Sequence, residues 1–379
     1  MVGDVSVPDI SPTSSGERFG HIGRIPVRNL WLLMFYASDL FRMRGIGSVG
    51  LEASPDDLPD LVAEILARAV EQRQRRRFSP GYRPRDAVLN RVRGRIDVLA
   101  TERRHLLARG LVACRFDELT IDTPRNRFVR AALESICRMV RRQDLAHRCR
   151  SLALAMKAQG VSGYAPSRIQ MSLDQCGRND ANDRYMLAAA RLAFDLSLPT
   201  ESVGVSVLAM PEREVMWVRR LFERAIGGFY DVVLSPLGWQ VRCGGLLSWQ
   251  LEDETPGIAR ILPTMKTDVV LDHVESGKRI VIDTKFTSIV TAGWYREETL
   301  RSGYVYQIYA YLRSQAGRGD RLADSATGML LHPSVGSMVD EAVVIQGHCV
   351  RFATVDLSAT PIEIRSQLLR LCSRAFSDV

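Results

Sequence analysis

The sequence has few of the residues that build metal sites from thiols and imidazoles. Its seven cysteines include no Cys-x-x-Cys pair, and its six histidines are dispersed along the chain. Zinc modules need cysteines and histidines at short, fixed spacings, so a structural zinc site of that kind is excluded. An odd, scattered set of cysteines is typical of reduced thiols, and we therefore expect a cytoplasmic protein.

Long apolar runs and phosphate-binding loops are also missing. The longest apolar stretch, residues 30–41, is too short to span a bilayer and contains Asp39. Residues 1–20 lack the basic start and apolar middle of a signal peptide and are predicted to be a flexible N-terminus. No GxxxxGK[ST] sequence occurs, so nucleotide binding by this chain is not expected. Contact with a membrane is not expected either.

Positive charge is in excess. Lys plus Arg number 51 against 43 Asp plus Glu, which gives a net charge of +8 and favours a polyanionic partner. Most of the excess is arginine in the N-terminal half, at residues 73–77, 91–95, 103–104 and 138–150. Such runs are usually solvated helix faces, and DNA contact is the less favoured interpretation of any one of them.

Two runs rich in β-branched residues, 267–271 and 280–285, end in charged residues where a purely structural strand would be hydrophobic. Residues 275–278 between them carry a turn signal. Strand-like runs joined by a short polar turn are typical of a β-hairpin. The sequence therefore predicts a hairpin with charged side chains along its strands.

The register of this hairpin places three chemically active side chains together. With the turn centred just after Ser276, Asp268 lies opposite Lys285. Val270 then lies opposite Asp283. Because side chains alternate between the two faces of a strand, Asp268, Asp283 and Lys285 are predicted to project from one face.

Two carboxylates and a lysine on one face suit metal-dependent cleavage of a phosphodiester. Asp268 and Asp283, with the backbone carbonyl of Thr284, are the predicted ligands of Mg²⁺, which neutralises phosphate charge and activates a water. Lys285 would contact the attacking water or the scissile phosphate. The alternative is an ordinary hairpin, in which Asp268 and Lys285 form an exposed ion pair that adds little stability.

Helical segments on either side of the hairpin supply further candidates. Residues 212–230 repeat apolar side chains at helical spacing, and Glu223 beside that stripe is either a third metal ligand or a solvated charge. Residues 304–312 fit an amphipathic helix on which Gln307 and Tyr311 share a face. These two are candidate catalytic residues that bind a backbone phosphate or orient the catalytic strand. The alternative is that the aromatic residues of this segment form helix core.

Residues that break helices interrupt the pattern between 199 and 212, so we predict two domains. The content of hydrophobic residues, 46% of 379, is enough for two cores. The N-terminal domain, residues 21–205, is expected to be mainly helical with a few strands, one of them at 91–100. The C-terminal domain, residues 206–379, is expected to be α/β, a mixed sheet flanked by helices, with a strand at 231–234.

The order of these motifs resembles the restriction-endonuclease-like superfamily, often written PD-(D/E)xK. A helix with Glu223 precedes a strand with Asp268 and a strand with Asp283 and Lys285, and a Gln-x-x-x-Tyr helix follows. The chain departs from the name of the motif in one respect. Its proline, Pro263, lies five residues before the first aspartate. This difference affects none of the predicted metal ligands.

Several blocks of sequence make the resemblance more specific, since they are similar to the McrC family. That family supplies the nuclease subunit of 5-methylcytosine-dependent restriction systems. The similarity runs from about residue 22 to residue 312. The blocks are IPVRNLWLLMFYA at 25–37, RGRID at 93–97, CRFDEL at 114–119 and DTPRNR at 122–127.

The resemblance implies a type IV restriction system, which defends the cell against phage. Its partner would be a McrB-like AAA+ GTPase that forms hexamers, binds GTP and carries the reader of modified DNA. The McrC-like chain would bind that ring through residues 21–205, stimulate GTP hydrolysis, and cut double-stranded DNA with a nuclease domain at 206–379. Two alternatives are a non-cleaving adaptor that activates an AAA+ ring, and a stand-alone DNA repair nuclease of the same superfamily.

Overall fold

A computed structural model of the chain divides into two compact units. One contains the described residues up to Ala37 together with those from Leu198 onward, and the other is Ser38–Ser197. Within the described residues, every helix is too short or too polar to be a transmembrane segment. The structure describes residues 21–22, 25–44, 57–174, 181–202, 212–287, 290–292, 298–336 and 338–373.

The secondary structure is numbered here in chain order. The helices are α1 (Val27–Tyr36), α2 (Asp39–Arg44), α3 (Leu58–Arg75), α4 (Val98–Arg103), α5 (Pro124–Ile136), α6 (Gln143–Ala158), α7 (Arg168–Leu173), α8 (Ala181–Ser202), α9 (Glu212–Leu234), α10 (Ser302–Arg313), α11 (Arg321–Asp324) and α12 (Pro361–Ser373). The strands are β1 (His21–Ile22), β2 (Ile25–Pro26), β3 (Gly81–Leu89), β4 (Arg95–Ile96), β5 (Val112–Thr120), β6 (Gln240–Cys243), β7 (Leu246–Leu247), β8 (Met265–Lys266), β9 (Val269–His273), β10 (Lys278–Thr284), β11 (Val290–Ala292), β12 (Glu298–Leu300), β13 (Thr327–Ser334), β14 (Asp340–Ile345) and β15 (His348–Asp356).

The unit Ser38–Ser197 combines helices with a small antiparallel sheet in the order β3-β5-β4. Helix α5 starts at a strong local signal. The side chain of Thr123 accepts a hydrogen bond from the backbone of Asn126, and Pro124 occupies the first turn, where its missing N–H costs nothing. Local sequence therefore determines where this helix begins.

Some arginines of the N-terminal clusters are engaged within this unit. Arg148 on α6 lies 2.7 Å from Glu71 and 3.0 Å from Glu64, both on α3. Arg73 lies 2.8 Å from the buried carboxylate of Asp183. These pairs join helices, and they give both arginines a role in packing.

The other unit is built on a six-stranded sheet in the order β14-β15-β13-β10-β9-β6. Strands β10, β13 and β15 are parallel, whereas β9, β6 and β14 run antiparallel to their neighbours. Helix α10 packs on β13, α9 on β6 and α12 on β15. The predicted fold class, a mixed α/β fold whose sheet is covered by helices, is confirmed.

Two glycines allow helices to approach this sheet closely. A Cβ on Gly227 of α9 would lie 2.6 Å from the sulfur of Cys243 in β6. A Cβ on Gly328 of β13 would lie 2.7 Å from the side chain of Ile308 in α10. Both distances are shorter than van der Waals contact, so a larger residue at either position would push its helix away from the sheet.

Two predicted strands are wrong. Residues 231–234 form the last turn of α9, since Val232 and Leu234 continue its buried side. The strand predicted at 91–100 is reduced to β4, because the side chain of Asp97 accepts a hydrogen bond from the backbone of Ala100 and starts α4.

Helix α1 packs within the unit that contains the six-stranded sheet. Asn29 donates hydrogen bonds of 2.7 and 2.9 Å to the carbonyls of Leu357 and Ala359, and Arg224 of α9 donates to the carbonyl of Ala37. The division predicted from sequence at residue 205 assigns α1 to the N-terminal domain, which differs from this grouping by contacts. The flexible N-terminus predicted at 1–20 lies outside the described residues.

Candidate active site

The predicted hairpin forms as the antiparallel pair β9–β10, but its predicted register is wrong by two residues. Val270 pairs with Val281, where the prediction paired it with Asp283. The cause is the turn. The backbone N–H of Gly277 donates to the carbonyl of Val274 at 3.1 Å, with Gly277 at a φ of +63°. Glycine adopts this left-handed conformation at no steric cost, and the turn is centred one residue earlier than predicted.

A shift of two residues leaves the strand residues on their original faces, because faces alternate with a period of two, and Asp283 and Lys285 accordingly contact each other. Beyond the last pair of the ladder, Ile282 with Val269, the next residues along the strands are Asp283 and Asp268. Asp268 lies in a bend just before β9. Its Oδ2 accepts hydrogen bonds from the backbone N–H and the hydroxyl of Thr284, both at 2.7 Å. These bonds fix the Asp268 carboxylate at the end of β10.

Asp283 and Lys285 form a buried ion pair. Nζ of Lys285 lies 2.5 Å from Oδ2 of Asp283, and the two residues are 5% and 1% exposed. The alternative of an exposed pair between Asp268 and Lys285 is therefore wrong. Burial raises the pKa of Asp283 to about 6, and the positive charge of Lys285 acts in the opposite direction.

The donor set suits Mg²⁺, although the metal itself stays a prediction. Oδ2 of Asp283 is buried and is held by the ammonium of Lys285. Mg²⁺ usually takes one or two carboxylates and completes its shell with waters and substrate phosphates. Asp283 and Asp268 match that requirement, and the Thr284 carbonyl remains a predicted ligand.

Glu223 contributes a third acidic group, near Asp268. It is half-buried on α9, and its pKa is raised first by burial and then by the negative charge of Asp268. The two carboxylates are thus close enough to influence each other. Among the residues that the structure describes, no three His, Cys, Asp or Glu side chains converge as a ready-made metal cage. A metal here would depend on oxygens from the backbone, water or DNA.

Gln307 and Tyr311 lie together on α10 and contact the strand that leads to Asp268. The hydroxyl of Tyr311 donates to the carbonyl of Lys266 at 2.8 Å, and Nε2 of Gln307 donates to the Tyr311 oxygen at 2.6 Å. Tyr311 is also buried in the hydrophobic core, where burial raises its pKa. The geometry favours a role for Tyr311 in orienting the strand. Its hydroxyl proton is already donated to the Lys266 carbonyl, so it is not available to a phosphate.

Two neighbours of Lys285 were not predicted from sequence. The centre of the Tyr304 ring lies 5.1 Å from Nζ of Lys285, and the rings of Tyr304 and His332 are 5.9 Å apart. Tyr304 belongs to the predicted helix, and His332 was one of the dispersed histidines. Periodicity along a helix or a strand does not show that α10 and β13 meet near Lys285. The sequence therefore carries no signal that identifies Tyr304 and His332 as its neighbours.

Fold and site together define a mixed α/β protein with an acidic site that contains a buried lysine at the end of a sheet strand. A family model described as "McrBC 5-methylcytosine restriction system component" matches residues 7–195, about half of the chain. The chain belongs to this McrBC family. No curated protein matches it.

Two solved structures from Thermococcus gammatolerans are similar to the chain. The first is a half-complex from a tetradecameric assembly of McrB AAA+ hexamers with bound McrC. It is 14% identical with a TM-score of 0.41, and the match covers 91% of this chain and 76% of that chain. The second is the McrBC complex, 15% identical with a TM-score of 0.32, where the match covers 48% of this chain and 60% of that chain.

Proposed function

We propose that this chain is the DNA-cleaving subunit of a McrBC-like type IV restriction system in the cytoplasm. It would bind a McrB-like AAA+ GTPase hexamer, stimulate GTP hydrolysis by that partner, and cut double-stranded DNA that carries modified bases. Membership of the McrBC family supports the restriction system and the partner. The observation that carries the nuclease assignment is the buried pair of Asp283 and Lys285 beside the fixed carboxylate of Asp268.

Each residue of the site has a separate role in this proposal. Asp283 and Asp268 would hold Mg²⁺, with Thr284 holding Asp268 in place and Glu223 adding negative charge. When bound, the metal would neutralise phosphate charge and lower the pKa of a water. Lys285 would stabilise the negative charge that develops on the scissile phosphate.

Tyr311 and Gln307 act at a distance from the phosphate in this scheme. The hydrogen bond from Tyr311 to the carbonyl of Lys266 holds the backbone just ahead of Asp268. Gln307 keeps the Tyr311 hydroxyl pointed at that carbonyl by donating to its oxygen. A catalytic carboxylate must be held to within a fraction of an ångström, and a buried helix is a suitable support for it.

Metal binding is expected to stabilise the folded protein. In about 10 mM Mg²⁺ the unfolding midpoint of the isolated chain should rise by about 2–4 °C relative to EDTA, because a ligand of millimolar affinity that binds only the folded state adds this much. The Asp268→Asn variant should lose the shift, since it removes a ligand charge. Differential scanning fluorimetry measures both.

The control for this experiment is Glu275→Gln, which removes an exposed carboxylate in the turn of the same hairpin and should keep the full shift. Equal shifts in all three proteins would mean that Mg²⁺ binds elsewhere.

Cleavage is tested with the partner, GTP and DNA containing 5-methylcytosine. Cutting is expected in Mg²⁺ and absent in EDTA. Stimulation of GTP hydrolysis without DNA cleavage would support the non-cleaving adaptor. DNA cleavage in the absence of the partner would support the stand-alone nuclease.

The segment from residue 95 to 109 is a candidate surface for the AAA+ partner. Val98 and Leu99 on α4 are 59% and 72% exposed, and Leu107 is exposed as well. Exposed arginines at 95, 103 and 104 accompany them. Large apolar side chains rimmed by charge are typical of protein interfaces, so we assign this surface to binding of the McrB-like ring.

Introducing charge into that surface is expected to break the complex. The double variant Val98→Asp with Leu99→Asp should weaken stimulation of the partner's GTP hydrolysis at least about tenfold, because interface centres tolerate buried charge poorly. Titration of partner GTPase activity against this chain measures the effect. Leu154→Asp, which charges another exposed leucine of the same unit, is the matched control. If both variants stimulate GTP hydrolysis equally, residues 95–109 are not the surface that binds the partner.

A further inference from the structure

The ammonium group of Lys285 has two unlike neighbours. On one side is the carboxylate of Asp283, with Nζ 2.5 Å from Oδ2. On another is the ring of Tyr304, whose centre is 5.1 Å from Nζ. A buried ammonium has lost most of its hydration, so the negative face of an aromatic ring attracts it more strongly than at an exposed site.

The Tyr304 ring is itself held by the structure around it. Tyr304 is partly buried on α10, where it packs against the hydrophobic core of the sheet. The ring of the buried His332 on β13 lies against it, and Nδ1 of His332 is 2.8 Å from the carbonyl of Thr287. This places the proton on Nδ1 and fixes the imidazole. A fixed imidazole in turn limits how far the Tyr304 ring can move.

The surroundings of His332 disfavour its charged form. Burial lowers the pKa of His332, the hydrogen bond to the Thr287 carbonyl acts in the opposite direction, and the positive charges of Lys285 and Arg301 lower the pKa further. A protonated imidazole at this position would repel the lysine that Tyr304 attracts. The ring of Tyr304 also faces the exposed guanidinium of Arg301, 5.8 Å from its centre. The Tyr304 ring thus faces two cations, Lys285 and Arg301.

We propose that Tyr304 is a positioning residue, whose ring holds the ammonium of Lys285 in place for the scissile phosphate. This inference rests on the proposed nuclease function. The ring attracts the lysine without neutralising it, whereas a second carboxylate would cancel the charge that the phosphate needs. Contact with a rigid ring restricts a side chain that otherwise samples many rotamers.

The test compares substitutions that keep or remove the aromatic face. Tyr304→Leu, of similar bulk but without a π face, should lower the maximal cleavage rate by about 10- to 30-fold, the effect of losing a desolvated cation–π contact. The KM for DNA should change by less than about twofold, because Lys285 acts on the transition state and little on DNA binding. Tyr304→Phe keeps the face and should stay within about threefold of wild type.

A matched control and a graded series separate positioning from a general structural role. Tyr306→Leu makes the same change at an exposed position of α10 and should cleave at the wild-type rate. Phenylalanine analogues with one, two or three fluorines at position 304 weaken the π face while keeping its shape. The rate should fall stepwise with fluorination, at a constant unfolding midpoint.

The possible outcomes are distinct. A wild-type complex that does not cut in Mg²⁺ overturns the proposed function and, with it, this inference. A wild-type complex that cuts, together with Tyr304→Leu at the same rate, overturns the positioning role alone. A rate that falls for Tyr304→Leu but stays flat across the fluorinated series also overturns it, because packing and not the π face would then be responsible.

Discussion

The Asp283→Asn variant is expected to lose DNA cleavage by about a thousandfold or more, since it removes a charged metal ligand. Asp283 lies within β10 and is almost fully buried beside the ammonium of Lys285. Asparagine has nearly the same shape but carries no charge. It should therefore keep the shape of the site while it removes the electrostatic attraction for Mg²⁺. Because it also leaves the buried ammonium of Lys285 without its counter-ion, the unfolding midpoint of the variant is measured beside its cleavage rate.

Stimulation of the partner distinguishes loss of chemistry from loss of structure. The assembled complex should hydrolyse GTP at the wild-type rate with Asp283→Asn, because the proposed partner surface lies in the unit Ser38–Ser197. Cleavage of DNA with 5-methylcytosine and GTP hydrolysis are measured in the same reaction. Asp253→Asn, which neutralises an exposed carboxylate, is the control and should behave as wild type in both. If Asp283→Asn cleaves DNA at the wild-type rate, Asp283 is not a metal ligand of the nuclease and the proposed active site is wrong.

The face shared by Asp283 and Lys285 was predictable, whereas the ion-pair partner of the lysine was not. Alternation along a strand depends only on whether the register is odd or even, so an error of two residues leaves the face unchanged. The pairing partner depends on the turn, and Gly277 in a left-handed conformation moved its centre. The prediction thus placed Asp268 opposite Lys285, while the lysine pairs with Asp283, two residues before it in the chain.

Contacts between elements distant in sequence set the rest of the site. Helical spacing placed Gln307 and Tyr311 on one face, but the bond from Tyr311 to the carbonyl of Lys266 links α10 to a strand 45 residues earlier. The same limit applies to Tyr304 and His332 around Lys285. Periodicity describes which side of an element faces inward. It does not identify the neighbour on that side.

Charge composition was similarly incomplete as a guide. The sequence shows an arginine-rich N-terminal half, and solvated helix faces were the favoured interpretation. Arg148 instead bridges α6 to two glutamates of α3, and Arg73 contacts a buried aspartate. Guanidinium groups suit such pairs because their planar fork matches a carboxylate. Net charge reports the overall attraction to a polyanion, but pairing decides which arginines can take part in it.

Replacing Lys285 with methionine is expected to have two separable effects. Cleavage should fall by about a hundredfold to a thousandfold, because a preorganised charge at the phosphate is lost. The variant should also change how metal binding depends on pH. Burial raises the pKa of Asp283 to about 6 against the opposing charge of Lys285, so removing that charge should raise the pKa further.

The sign of the pH effect follows from competition between Mg²⁺ and a proton for the same carboxylate. In wild type, the Mg²⁺-induced rise in unfolding midpoint should disappear as the pH falls through about 6. In Lys285→Met it should disappear at a higher pH. Lys285→Arg keeps the positive charge and should lose the shift near the wild-type pH. If cleavage falls in Lys285→Met while this pH stays fixed, Lys285 acts on the phosphate alone and burial sets the Asp283 pKa without it.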